Sequence, residues 1–185
     1  MSEKLIRVCI DPGHEGGKAG LDPGAVNGSK KEAVAALAIA KKVGCKLTEA
    51  GYLVRFTRNK DKDMTLAERC RISNGFDADI FVSIHLNSAT NKSASGVETL
   101  RYPKVGTRTK NLAKNVQTEL IAALGWKDRG VKERSDLYVL KHTVASAVLV
   151  ECGFLSNDAE CKKLFDANWQ NKIAAAIVKG IEKTV

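Results

Sequence analysis

Three histidines occur in the chain, and two of them stand where catalytic groups gather in α/β proteins. His14 lies in a glycine-rich stretch, "IDPGHEGGKAGLDPGAV", directly after an apolar run. His85 closes a second apolar run, "DIFVSIHLN". Glu151 closes a third, "AVLVE", and Glu32 opens the alanine-rich segment "EAVAALAIA". In open α/β sheets, ligands bind beyond the carboxyl ends of the strands, so these side chains can converge on one rim. Two imidazoles and one carboxylate form the ligand set of a catalytic zinc site, with a position left for water. A second carboxylate, held off the metal, would take a proton from that water. Glu32 and Glu151 are both candidates for either role.

Competing readings of the same residues are weaker. Glycines around His14 suit a phosphate cradle, but "DPGHEGGKAG" is not GxGxxG and no GK[ST] follows. No compact HExxH pattern exists, because the candidate ligands are spread through the chain. A single histidine at a strand end is more often a hydrogen-bonded structural group than a ligand, so the argument rests on the four residues together. His142, in "VLKHTVAS", is read as a surface-loop residue. Five cysteines (Cys9, Cys45, Cys70, Cys152 and Cys161) form no CxxC pair and read as buried thiols. Cys152 sits inside an apolar strand rather than in the electropositive pocket that activates a thiol.

The elements that must position these groups follow from the pattern. "KLIRVCI" (residues 4–10), "YLVRFT", "DIFVSIHLN", "GVETLRY", "LYVL" and "AVLVECG" read as strands. The segment from Lys31 to Gly51 repeats apolar residues at helical spacing and ends on a glycine. Thr65 followed by Glu68 is a capping-box signature for a second helix. Further helices are expected over residues 109–124 and in "NDAECKKLF" and "NWQNKIAAAIVKGIEK". Strands alternating with helices predict an α/β layered domain. Its central sheet of about six strands would be mostly parallel or mixed, flanked by helices. The length of 185 residues suits one domain spanning residues 1–185. A net charge of +9 points to an anionic partner such as a cell wall. The lysines are not interleaved with aromatics, which argues against nucleic acid. No apolar stretch is long enough for a membrane span. "MSEKLIRVCIDPG" lacks the basic head and apolar core of a signal peptide.

Seven segments, in order, resemble the landmarks of the zinc-dependent N-acetylmuramoyl-L-alanine amidases of type 3, found in bacterial autolysins and phage endolysins. They are "IDPGHEGG", "EAVAALAIA", "TRNKDKDMTLAERCRISN", "ADIFVSIHLNS", "SGVETLRY", "DRGVKERSDLYVLK" and "AVLVECGFLSN". Any one is weak; seven in sequence are specific, and they cover about residues 7–179. The resemblance implies His14, Glu32 and His85 as ligands of one Zn2+ per chain, and Glu151 as the catalytic acid–base group. It implies hydrolysis of the amide between the lactyl group of N-acetylmuramic acid and L-alanine in peptidoglycan. Asn87 and Arg129 are expected to contact substrate, with Arg129 suited to a stem-peptide carboxylate. The chain departs from the family at "HEGG", where Glu15 is expected to face solvent, at Ala145 and Ser146, and at Cys152. A monomer is expected, released from the cytoplasm in endolysin fashion or belonging to a longer exported protein. The alternatives are another metal-dependent peptidoglycan peptidase or deacetylase, and an inactive wall-binding or nucleic-acid-binding module.

Overall fold

A computed structural model describes residues 5–185. Its strands and helices, in chain order, are β1 (Arg7–Pro12), β2 (Val26–Asn27), β3 (Lys30–Lys31), α1 (Glu32–Glu49), β4 (Leu53–Phe56), α2 (Leu66–Gly75) and β5 (Ile80–Asn87). They continue with β6 (Val97–Arg101), α3 (Thr107–Leu124), β7 (Asp128–Glu133), α4 (Tyr138–His142), β8 (Ser146–Phe154), α5 (Asp158–Leu164) and α6 (Ala167–Glu182). Six strands form one sheet in the order β4-β1-β5-β8-β6-β7, while β2 and β3 make a short separate hairpin. The pairs β4–β1, β1–β5 and β5–β8 are parallel. Strand β6 runs antiparallel to β8, and β7 lies parallel to β6 at the edge. The expected mixed sheet with flanking helices is therefore present.

Burial explains the layering. Val8, Ile10, Val82, Ile84, Val148 and Val150 pack with α1, α3 and α6 on one face. Cys9, Phe81 and Leu149 point to the other face, against Cys70 of α2 and Val139 and Leu140 of α4. Alternate residues of one strand thus serve two cores, which is why these strands read as continuous apolar runs. No helix of the described residues is long and apolar enough to cross a membrane.

Two expected elements differ. "LYVL" is not a strand: Leu137 precedes the short helix α4, whose Val139 and Leu140 cover the second core. A four-residue apolar run has no period that separates strand from helix. The sixth strand is instead β7, "DRGVKE", a polar edge strand with mostly exposed residues and no hydrophobic alternation. The first strand begins at Arg7 rather than Lys4, which lies outside the described residues. The Thr65–Glu68 capping box forms as expected, and α3 ends at Gly125. Cys9, Cys70, Cys152 and Cys161 are buried, but Cys45 is exposed on α1. Its thiol donates to Glu49 one turn along the solvent-facing side.

Candidate metal centre and its surroundings

Strand β1 delivers a tight loop at the carboxyl edge of the sheet. His14 adopts a left-handed backbone with φ 60°. Two buried arginines hold that turn from below. Arg69 donates to the carbonyls of Pro12, at 2.8 Å, and of His14. Arg58 donates to the carbonyls of Pro12 at 3.1 Å and Gly13 at 2.7 Å. Asp11, 1% exposed, accepts from Arg69 at 2.7 Å and from the hydroxyls of Thr57 and Ser83. The buried Asp11 charge is thus paired and its oxygens are satisfied, as burial demands.

Glu32 is the first residue of α1, and its carboxylate is the meeting point. Oε1 accepts from Leu86 N–H at 2.9 Å, and Oε2 from Ala25 N–H at 2.9 Å. His14 Nε2 lies 3.0 Å and His85 Nδ1 2.9 Å from the same Oε1. The two imidazole rings stand edge to face with centroids 4.9 Å apart. One ligand atom from each of the three residues falls within 4.8 Å of the other two. Glycine is required around them: a Cβ at Gly24, whose φ is +67°, would stand 2.5 Å from the His14 ring and 2.6 Å from Glu32 Oε2. A Cβ at Gly13 would overlap the His85 ring. The glycines of the first loop therefore clear space for imidazoles.

Glu151 is placed beside this group by strand register. It pairs with His85 across β5–β8 and with Glu98 across β8–β6. Its Oε2 is buried with no hydrogen-bond partner. Burial, with further repulsion from Glu32 and Glu98, outweighs attraction from His85 and His14 and pushes its pKa up to about 7. Glu32 behaves oppositely. Its own burial is outweighed by the hydrogen bonds and charges of His14 and His85, so its pKa lies far below the usual range. Burial alone would lower His14, but Glu32 and then Asp22 raise it to about 9 in the metal-free chain. A cation binding between these groups at neutral pH would therefore release a proton.

The structure brings His14, Glu32, His85 and Glu151 together. Asn87 and Arg129 lie on the side of this group toward the sheet edge, where both side chains turn onto Glu98. Asn87 donates to Glu98 Oε1 at 2.9 Å, and Arg129 Nε to Glu98 Oε2 at 2.9 Å. His142 ends α4 and is exposed, against the ring of Tyr138. Glu15 is half-buried rather than solvent-facing, because its carboxylate accepts from Asp22 N–H at 3.0 Å. A cleft of about 390 Å³ opens beside His14 and His85, walled by Leu66, Tyr138 and Val139.

Sequence reasoning missed Asp22, whose Oδ2 lies 2.7 Å from His14 Nδ1. That contact places the proton on Nδ1 and leaves Nε2 for a cation, the usual outer partner of a ligating histidine. Its signal was a carboxylate within the same glycine loop. Glu98, Arg58 and Arg69 were missed too.

These features describe an α/β domain with a His-Glu-His group able to hold a metal at the carboxyl ends of its parallel strands. The family profile of the N-acetylmuramoyl-L-alanine amidases matches residues 8–183, and the chain belongs to that family of hydrolases. It is 40% identical to the protein YqiI of Bacillus subtilis, over 95% of this chain and 82% of the relative. It is 37% identical to the N-acetylmuramoyl-L-alanine amidase LytC of Bacillus subtilis, over 94% of this chain but only 34% of LytC. The crystal structure of an N-acetylmuramoyl-L-alanine amidase from Clostridium difficile 630 superposes with a TM-score of 0.90 at 34% identity. That match covers 96% of this chain and 95% of the other.

Proposed function

We propose that the chain is a zinc-dependent amidase, one catalytic domain over residues 1–185, that cuts peptidoglycan between N-acetylmuramic acid and L-alanine. One observation carries the reading: in an amidase-family chain, three ligand atoms converge within 4.8 Å next to a buried, unpartnered carboxylate oxygen. Two nitrogens and one oxygen suit zinc, and Gly24 leaves the ligands the room they need. His14 and His85 would hold the ion through Nε2 and Nδ1, with Glu32 as the third ligand. Bound there, zinc supplies Lewis acidity that polarises a carbonyl and lowers the pKa of water.

The chain's own residues would do the rest. Glu151 takes the proton of the attacking water and later delivers it to the leaving amine of L-alanine. A carboxyl with a pKa near 7 is suited to both directions at neutral pH. Asp22 keeps His14 in one tautomer, and Glu32 is fixed by two backbone N–H groups. Asn87 and Arg129 contact the substrate from the Glu98 side. The enzyme then acts on the cell wall, whose anionic polymers match its +9 charge.

Digestion of purified peptidoglycan, with and without a zinc chelator, tests the reading. Mass spectrometry should find a free L-alanine amino terminus that disappears with chelator. New ends at another bond, or cleavage indifferent to chelator, would overturn it.

A further inference from the structure

The strand register lines up a row of side chains across four strands. His85 of β5 pairs with Glu151 of β8, and Glu151 pairs with Glu98 of β6. At the next step the register shifts: Val97 faces Asp128 but Thr99 faces Val131, so Arg129 and Gly130 together oppose Glu98. That is a bulge, a device that re-aims a side chain and recurs beside active sites. Gly130 permits it with φ 77°. Asp128 braces it by accepting from Gly130 N–H at 2.8 Å and from Gln117 at 2.6 Å.

The bulge turns Arg129 inward onto buried Glu98, where Lys132 joins it. Lys132 Nζ is 2.5 Å and Arg129 Nε 2.9 Å from Glu98 Oε2. Glu98 Oε1 is taken by Asn87. Two cations therefore share one carboxylate oxygen, leaving an excess positive charge. Arg129 is further fixed by its plane over Phe154, 4.8 Å from the ring centre. Its Nη2 has no acceptor among the described residues. The Arg129 and Lys132 side chains remain 27% and 43% exposed.

We propose that Arg129 and Lys132, oriented by Glu98, form a carboxylate-binding subsite. In the proposed function, on which this rests, it receives the free α-carboxylate of the second stem-peptide residue, D-glutamate. Reach supports that residue. Two residues of extended chain span about 7 Å, and Glu98, onto which both cations lean, stands on β6, two strand spacings, about 9.5 Å, from the His85 strand β5. Both cations lean back from β7 toward β6. The subsite distinguishes D-glutamate from its α-amide, D-isoglutamine. The amide lacks the charge and presents an NH2 donor to groups that are themselves donors.

Equilibrium binding separates this from the amidase reading. The zinc-loaded Glu151→Gln protein is titrated with N-acetylmuramoyl-L-alanyl-D-glutamate and with the corresponding D-isoglutamine compound. A charge-assisted contact predicts roughly tenfold or more tighter binding of the acid. Adding Lys132→Met should bring the ratio toward unity, and Lys132→Arg should restore part of it. Equal affinities for acid and amide would overturn the inference, as would a Lys132→Met loss that is the same for both ligands. Either result leaves the wild-type digestion experiment untouched, and failure of that digestion leaves this binding ratio measurable.

Discussion

His14, Glu32 and His85 are fixed from beneath by buried groups, whereas Arg129 and Lys132 share one carboxylate at a sheet edge, with Phe154 and the Ser95 carbonyl as Arg129's further contacts. Below the histidines, Arg58 and Arg69 are each 2% exposed and bind the carbonyls of the loop that carries His14. At the edge, Lys132 is still 43% exposed and free to exchange partners. The proposed metal ligands are over-determined. The proposed peptide-binding cations are held by fewer and partly exposed contacts. The cost of disturbing each side should differ accordingly.

The largest effect is expected from Arg69→Met. It strands the buried Asp11 charge, and breaking such a pair costs about 3–5 kcal/mol. Total stabilities run to about 5–15 kcal/mol, so urea midpoints should fall sharply. Asp22→Asn should barely move stability, because Asp22 is exposed. It should weaken zinc binding roughly 10- to 100-fold in competition with a chromogenic chelator. Glu98→Gln should cost about 1 kcal/mol, well below Arg69→Met, because its cations can turn to water. A drop as large as that of Arg69→Met would erase the contrast between the two regions.

A pH experiment sharpens the same contrast. The folded metal-free chain holds the Glu151 proton to about pH 7, above the value an unfolded carboxyl would have. The native state therefore binds more protons between those pH values, and stability must fall as pH rises through them. Glu151→Gln removes that contribution. The metal-free variant should gain stability over the parent as pH climbs from about 4.5 to about 7, and keep a constant lead above that, in thermal melts. A gap that narrows instead would contradict the buried, unpartnered carboxylate.

The legibility of the two regions differs as well. His14 follows the apolar strand β1, His85 and Glu151 lie near the carboxyl ends of β5 and β8, and Glu32 opens an amphipathic helix, so periodicity marks where they sit. The resemblance then assigned their roles, and the geometry brings the same four residues together. At the edge the pattern fails. Strand β7 is polar because it is solvated, so no alternation announces it, and α4 was too short for its period to show. Glu98 sits inside "GVETLRY", but its cations come from 31 and 34 residues later through a bulge. Asp11, Arg58 and Arg69 are likewise paired over long separations, which no local spacing reveals.

The central claim is that Glu32 holds the metal while Glu151 moves the proton. Zinc content after dialysis, measured side by side for Glu32→Gln and Glu151→Gln, tests it most directly. The account predicts that Glu151→Gln keeps stoichiometric zinc while losing roughly 10²–10⁴-fold in hydrolysis, and that Glu32→Gln loses the metal. Zinc lost from Glu151→Gln but retained by Glu32→Gln would contradict it.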